Sequence, residues 1–211
     1  MPIIQAERLQ DLAEKLLIAV RASRNDATTI ARHSIGANLA GHDSHGIIQI
    51  PTYIDRVKRG HIIPNASYEI VKDSPTTTVV DGHWGFGYVV TEMAMRTTIE
   101  KARSQNIAAA TVFRQSHIGR LADYPLMASE ADMIGLITAD SGRSAKSVVP
   151  FGGRDKRLGT NPISIAMPSN LDGPYYLDMA SSAVAAGKIE VAKARGKDIP
   201  EGWIVDDEGN P

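Results

Sequence analysis

The chain has 211 residues, 43% of them hydrophobic, with 23 basic and 24 acidic side chains and a formal net charge of −1. It is long enough to bury a substantial core, and its interspersed, near-neutral charge argues against nucleic acid or an anionic membrane as a partner. No apolar run reaches the roughly 18 to 20 residues that span a bilayer, and the N-terminus lacks a signal-peptide pattern, so we expect a cytoplasmic protein. Cysteine is absent, which excludes disulfides, thiolate nucleophiles and cysteine-based zinc sites.

The first part of the chain has the residue spacing of amphipathic helices. Three helices are predicted there, over residues 5–22, 26–40 and 44–58. Asp26 is the expected cap of the second helix, and Pro51 is expected to kink the third. Residues 61–65 have the composition of a linker. We therefore predict a helical N-terminal region over residues 1–65 and an α/β cofactor-binding domain over residues 66–211.

Beyond residue 66 the pattern changes to alternating strands and helices, which is typical of a layered α/β domain. The predicted strands cover residues 67–72, 76–81, 107–113, 133–139, 163–167 and 175–178, and the predicted helices cover residues 86–104, 121–131 and 183–194. The strand over 133–139 is expected to be buried. The sequence thus predicts an α/β fold in which an N-terminal helical region is followed by a layered domain with a mixed sheet.

A glycine-rich segment, residues 79–87, lies between a predicted strand and a helix, where a Rossmann fingerprint would sit. Its glycines are spaced three and then two residues apart, and no acidic residue follows the next strand to hold a ribose. The segment therefore does not fit a Rossmann dinucleotide site. We interpret Gly82, Gly85 and Gly87 as turn residues that need positive φ.

Two imidazoles and a carboxylate occur within four residues, at His42, Asp43 and His45. A neutral imidazole near a helix start is favoured by the helix dipole and can act as a base. Gln49 follows His45 by four residues and would share its helix face. A surface or capping histidine is the alternative reading, and no third residue completes a metal site, so we predict no metal.

A second candidate loop follows the strand that ends near residue 113. It contains His117 and, three residues later, Arg120. An imidazole that moves a proton and a guanidinium that grips a carboxylate are what a 2-hydroxy or 2-keto acid requires during hydride transfer. An exposed loop histidine beside an unrelated arginine is the other reading. The long loop over residues 140–161 offers Lys146 and backbone NH groups for anionic oxygens, or it is a solvated turn.

Five short motifs occur in order along nearly the whole chain. They are Asp43-Ser44-His45-Gly46, Ser116-His117-Ile118-Gly119, Val149-Pro150-Phe151-Gly152-Gly153, Gly159-Thr160-Asn161-Pro162 and Asp178-Met179-Ala180. Together they resemble the malate/L-lactate dehydrogenase family, which also includes ureidoglycolate, sulfolactate and diketogulonate enzymes. The resemblance implies hydride transfer between NAD or NADP and C2 of a small 2-hydroxy or 2-keto acid. It also implies a cofactor fold unrelated to the Rossmann fold and a homodimer with its sites between subunits.

By the same resemblance, His45 and His117 match the two active-site histidines of the family, and we favour His117 for proton transfer. The residues that match cofactor contacts are Ser141, Gly159, Thr160, Asp178, Met179 and Ala180. Where many members have an arginine four residues after the first histidine, this chain has Gln49. A neutral amide cannot form the charged bidentate pair with a substrate carboxylate, a loss on the order of 1.5 to 3 kcal/mol. The candidates to compensate are Arg120, Arg143 and Lys146.

Family members are longer than this chain, so we expect a C-terminal segment that completes the sites to be missing from it. A catalytically silent fragment or interaction protein of the same fold is the alternative to an active dehydrogenase. A His/Asp metal hydrolase is a weaker alternative.

Overall fold

The computed structural model describes residues 3–140, 146–184, 188–189, 192–193 and 196–211. The α-helices of the described chain are α1 (Ala6–Ala19), α2 (Arg24–Leu39), α3 (Ile50–Lys58), α4 (Gly87–Gln105) and α5 (Asp123–Ser129). The strands are β1 (Glu69–Asp73), β2 (Thr77–Gly85), β3 (Ala109–Gln115), β4 (Gly135–Thr138), β5 (Pro162–Met167) and β6 (Tyr175–Ala180). Within these described ranges, no helix has the length and hydropathy to cross a membrane.

The N-terminal helices pack around one apolar cluster. It is formed by α1, α2 and α3 together with the start of α4, and its larger fully buried members are Leu17, Ile30, Ile50, Tyr53, Ile62 and Tyr88. Burying each such side chain stabilises the fold by about 1.5–3 kcal/mol. The predicted cap of α2 is wrong by three residues, because Ser23 is the N-cap and its Oγ accepts from the backbone N–H of Asp26 at 3.0 Å. The apolar cluster joins α3 to α4, the helix between β2 and β3.

The predicted third helix is shorter than expected. Residues Asp43–His45 and Ile47–Gln49 form two 3₁₀ turns, and α3 begins only at Ile50. Gly46 separates the turns in an extended conformation, with φ −87° and ψ −151°. Pro51 lies in the first turn of α3, where its missing N–H leaves no helical hydrogen bond unmade, so it does not kink the helix.

Two three-stranded sheets follow the helices. In the first sheet the order is β1-β2-β3, with β1 antiparallel and β3 parallel to β2. This sheet is mixed, and α4 is the crossover that the parallel pair requires. The second sheet has the order β4-β5-β6 and is antiparallel throughout. The helices-then-sheets order and the mixed sheet agree with the predicted α/β architecture.

Two predicted elements in the second half of the chain differ from the structure or extend beyond the described residues. The strand predicted over 133–139 exists as β4, but it is not buried, since Leu136 is 59% exposed. The helix predicted over 183–194 falls partly on residues 185–187, 190–191 and 194, which lie outside the described residues. The division of the chain at residues 65 and 66 stays a prediction.

Gly82 and Gly85, in β2, and Gly87, at the start of α4, allow close approach of other atoms and do not have positive φ. The left-handed residues of this segment are His83 and Trp84, with φ of 46° and 61°. A Cβ on Gly87 would lie 2.3 Å from the carbonyl oxygen of Ser116 and 2.6 Å from that of His117. The missing side chain thus lets the backbone that carries His117 lie directly against the start of α4.

Candidate active site

The fold brings His45 and His117 together although they are far apart in sequence. Their ring centroids are 5.4 Å apart. His45 ends the first 3₁₀ turn after α2, and His117 follows the C-terminal end of β3. The two motifs that the sequence singled out therefore meet in one place.

Asn38, near the end of α2, holds the turn that carries His45. Its side-chain oxygen accepts from the backbone N–H of Ile47 at 2.8 Å, and its amide donates to Asp43 at 2.6 Å. A Cβ on Gly46 would lie 2.2 Å from Oδ1 of Asn38, so only glycine fits there. Asp43 is therefore part of the support of the turn.

His45 has polar neighbours on two sides. Its Nδ1 lies 2.9 Å from Oγ of Ser44, and its ring meets that of His42 edge-on at 4.6 Å. The N-cap position of α3 is Gln49, so Ser44 contacts the imidazole and does not cap this helix. His42 places a second imidazole beside the first.

His117 is held by two buried tyrosines. The hydroxyl of Tyr53, in α3, lies 2.7 Å from Nδ1 of His117 and 3.1 Å from the hydroxyl of Tyr88, in α4. The Tyr88 hydroxyl in turn lies 3.5 Å from the backbone oxygen of His45. Gly119 has φ +74°, and a Cβ on it would lie 2.1 Å from the Tyr88 ring, so this glycine makes the room that Tyr88 occupies.

Burial keeps both site histidines neutral near pH 7. It lowers the pKa of His45 to about 4. His42 lowers this pKa further, and the carboxylate of Asp123 raises it. Burial also lowers the pKa of His117 to about 4, with further lowering by His45 and by the cation of Arg56. The neutral form predicted for His45 thus has desolvation as its main cause, because this residue is not at the start of an α-helix.

Three of the side chains predicted to bind substrate have a partner in the described structure, and the fourth, Arg143, lies outside the described residues. The Gln49 amide donates to the backbone oxygen of Ser44 at 2.8 Å, so this side chain is directed back to its own turn. Nε of Arg120 forms an ion pair with the Asp123 carboxylate at 2.9 Å, although the angle does not meet the criteria for a hydrogen bond. The Arg120 guanidinium also lies 5.6 Å from the Tyr176 ring centroid. Lys146 donates to Asp140 at 2.7 Å. Their role in holding a substrate stays a prediction.

The residues predicted to contact the cofactor gather at one end of the second sheet. Gly159 donates its N–H to Asp140 at 3.2 Å, and Thr160 follows it just before β5. Ala180, at the end of β6, pairs with Pro162 at the start of β5. Ser141 lies outside the described residues.

Asp178 connects this end of the sheet with the histidines. Its carboxylate accepts from the backbone N–H of Ala122 at 2.9 Å. Burial raises the pKa of Asp178, while that hydrogen bond and the positive fields of His42 and Arg120 oppose the rise. Met179, the next residue, leaves 47% of its surface exposed. Because Asp178 and Met179 are consecutive residues of β6, their side chains lie on opposite faces of the second sheet.

Sequence reasoning missed Tyr53, Tyr88 and Arg56. The only sequence signal for Tyr53 is its position one helical turn beyond Gln49. A tyrosine that merely packs in the core of an amphipathic helix has the same spacing. Tyr88 depends on the packing of α4 and had no local signal. Across the described ranges, no group of three or more His, Cys, Asp or Glu side chains is arranged to hold a metal ion.

Residues 4–211 match the family model described as malate/L-lactate dehydrogenase. The chain belongs to the malate/L-lactate dehydrogenase family. This confirms the resemblance read from the five motifs.

Malate dehydrogenase of Pyrococcus horikoshii is similar to this chain, with 35% identity over 207 residues that cover 98% of the chain and 56% of that enzyme. L-sulfolactate dehydrogenase of Methanocaldococcus jannaschii is 37% identical, over 99% of the chain and 60% of that enzyme. The solved structure of a putative malate/lactate dehydrogenase from E. coli superposes with a TM-score of 0.94 at 34% identity, covering 100% of this chain and 59% of that one.

These likenesses confirm the predicted α/β fold class, which the chain shares with the solved structures of the malate/L-lactate dehydrogenase family. The chain spans between half and two thirds of the length of the relatives it matches.

Proposed function

We propose that the whole protein transfers a hydride between NAD or NADP and C2 of a small 2-hydroxy or 2-keto acid. The observation that carries this proposal is the close approach of the half-buried imidazoles of His45 and His117, whose ring centroids are 5.4 Å apart, in a chain of this family; desolvation lowers the pKa of both to about 4. A neutral imidazole accepts the hydroxyl proton of a hydroxy acid during oxidation, and the imidazolium returns it during reduction. We assign that proton to His117 and a hydrogen bond to the substrate to His45.

The proposed cofactor site is the end of the second sheet beside these histidines. Gly159, Thr160 and Ala180 offer backbone groups for the amide of a nicotinamide, and Met179 offers an exposed apolar surface for its ring. The half-buried carboxyl of Asp178 adds an acceptor. This donor set is of the kind that a flat, amide-bearing ring requires. A bound nicotinamide supplies or takes up the hydride, which no side chain here can do.

The proposed grip on the substrate carboxylate comes from the side chains around this site. Gln49, Arg120 and Lys146 are the proposed binding residues. Gln49 must leave the backbone oxygen of Ser44 to do so, which exchanges one hydrogen bond for another. Arg120 brings a positive charge to the side of Asp178, whose pKa it lowers. A charged hydrogen bond from such a cation is worth about 1.5–3 kcal/mol.

The test begins with titration of the purified protein with NADH and NADPH, followed by loss of nicotinamide absorbance with a panel of 2-keto acids. We expect binding and turnover by the wild type, and retained binding with at least about a hundredfold lower turnover by His117→Gln. His83→Gln is the control, because His83 bonds the backbone of Ser67 away from the site. Absence of both binding and turnover in the wild type would contradict the proposal.

A homodimer with sites between subunits and a cytoplasmic location belong to the same proposal. Exposed apolar side chains on the second sheet support the dimer, and they are Leu136, Tyr175, Leu177 and Met179. Such a surface is typical of a protein contact. Light scattering coupled to size-exclusion chromatography would measure the mass of the particle, and a monomer at all concentrations would contradict the dimer.

A further inference from the structure

Three consecutive polar contacts connect His117 to the backbone of the other site histidine. They run from Nδ1 of His117 to the hydroxyl of Tyr53, at 2.7 Å, then to the hydroxyl of Tyr88, at 3.1 Å, and end 3.5 Å away at the carbonyl oxygen of His45. Both tyrosines are 1% exposed. Buried polar groups of this kind are satisfied almost without exception, which favours the arrangement of protons that fills all three contacts.

The number of available protons determines the direction of this chain of contacts. Each contact needs one proton, each tyrosine supplies one, and the carbonyl oxygen of His45 can only accept. All three contacts are filled only if Nδ1 of His117 supplies the remaining proton. Tyr53 then accepts from His117 and donates to Tyr88, and Tyr88 donates to the carbonyl. The opposite direction would leave the carbonyl without this donor.

We infer that Tyr53 is a positioning residue that holds His117 as its Nδ1–H tautomer, with Tyr88 and the His45 carbonyl setting the direction of the chain. A neutral imidazole has one N–H, so Nε2 keeps its lone pair. This inference rests on the proposed function, in which His117 exchanges a proton with the substrate. Nε2 is then the atom that takes up the hydroxyl proton and later returns it.

The arrangement needs no rotation of the ring between the two protonation states. Nδ1–H donates to Tyr53 both in the neutral imidazole and in the imidazolium, because only Nε2 gains or loses a proton. A donor–acceptor pair that does not reorganise during a reaction is what electrostatic preorganisation requires. The two tyrosines therefore fix both the orientation of His117 and the identity of its reactive nitrogen.

The tautomer can be measured without cofactor or substrate. Long-range ¹H–¹⁵N correlation spectra of histidine-labelled protein near pH 7 distinguish a protonated from an unprotonated ring nitrogen. We expect protonated Nδ1 and unprotonated Nε2 at His117 in the wild type. A dominant Nε2–H form in the wild type would overturn the inference.

Two variants distinguish the effect of hydrogen-bond direction on the His117 tautomer from the effect of tyrosine packing. Tyr53→Phe removes the acceptor, so the His117 signals should move toward the Nε2–H form that imidazole favours in water. Tyr88→Phe removes the acceptor of the Tyr53 proton and frees Tyr53 to donate to Nδ1, so the same shift is expected from a residue that does not bond His117. Either variant is informative if the other fails to fold, and an unchanged tautomer in a folded variant would overturn the inference.

Tyr124→Phe is the matched control, because Tyr124 is 0% exposed and its hydroxyl bonds only the backbone oxygen of Ile118 among the described residues. This variant loses one buried hydrogen bond and should leave the tautomer unchanged. In turnover, Tyr53→Phe should lower kcat by about ten- to a hundredfold with KM within about twofold, since orientation and not binding is lost. If the wild type shows the Nδ1–H form without any turnover, the proposed function fails and the assignment of the tautomer stands.

Discussion

The imidazole of His33, in α2, lies 2.9 Å from the carboxylate of Glu92, in α4. Its other nitrogen lies 2.7 Å from the carboxylate of Asp123, at the start of α5. A neutral imidazole has one N–H and cannot donate to both carboxylates. Burial alone would lower the pKa of His33, but the hydrogen bonds that its ring donates to Asp123 and Glu92 outweigh burial, and the pKa is raised. Three helices are thus joined through a buried imidazolium.

We predict that His33 stabilises the protein most at mildly acidic pH. Because the folded pKa is raised above the ordinary value of 6.5, the stabilisation is fully present below pH 6.5 and is lost as the pH rises through the folded pKa. His33→Gln should cost about 3 kcal/mol at pH 6 and less at higher pH. Urea unfolding of both proteins from pH 6 to pH 9 measures this. A difference in the free energy of unfolding between the wild type and His33→Gln that does not change with pH would contradict the prediction.

We predict that Arg56 depresses the pKa of His117 in the folded protein. The His117 pKa of about 4 comes from burial first and from the neighbouring charges of His45 and Arg56. Arg56→Gln should therefore raise the midpoint of the His117 ring signals in an NMR pH titration. Arg59→Gln is the control on the same helix, because Arg59 pairs with Asp55 at 3.0 Å and is not among the charges that shift His117. Equal midpoints in the two variants would show that Arg56 has no such effect.

We predict that an alanine at Gly119 is more harmful than one at another left-handed glycine. Gly60 has φ +68° and open space within 4 Å of the point where a Cβ would lie, whereas a Cβ on Gly119, at φ +74°, would overlap the Tyr88 ring. Gly60→Ala should cost about 1 kcal/mol from backbone strain alone. Gly119→Ala should cost about 2 kcal/mol more, because Tyr88 has to move. Thermal unfolding of the two variants measures the additional loss of stability that the overlap with Tyr88 causes. Equal losses of stability in the two variants would refute the prediction.

We predict that Asn38 sets the rigidity of the turn that carries His45. Asn38→Ala removes the hydrogen bonds to Ile47 and Asp43 and should cost about 1–3 kcal/mol, because the Ile47 amide loses its acceptor. Hydrogen exchange at the Ile47 amide should become faster. Gln49→Ala is the comparison, since it removes one exposed bond to the Ser44 oxygen and should have the smaller effect. Unchanged exchange in Asn38→Ala would contradict the assignment.

Much of the fold could be predicted from local patterns, and the errors have local causes. The helix found over Gly87–Gln105 was predicted over 86–104, and every strand was found within a few residues of its predicted position. The third helix was predicted too long because Pro51 was interpreted as a kink inside a helix that begins at residue 44, whereas Pro51 lies in the first turn of α3. The hydrogen bond from the Ile47 N–H to Asn38, which holds the turn before α3, joins residues nine positions apart and has no periodic signal.

Taken by itself, the sequence determined the order of helices and strands, the family and the two histidine motifs, because hydrophobic periodicity and short motifs are properties of neighbouring residues. Only the tertiary structure decided that His45 and His117 share a site, that burial keeps them neutral, and that Tyr53 and Tyr88 stand behind His117. The physical reason is that desolvation and hydrogen bonding depend on what surrounds a group in space. Tyr53 and His117 are 64 residues apart, and only the packing of α3 and α4 against the chain after β3 brings them into contact.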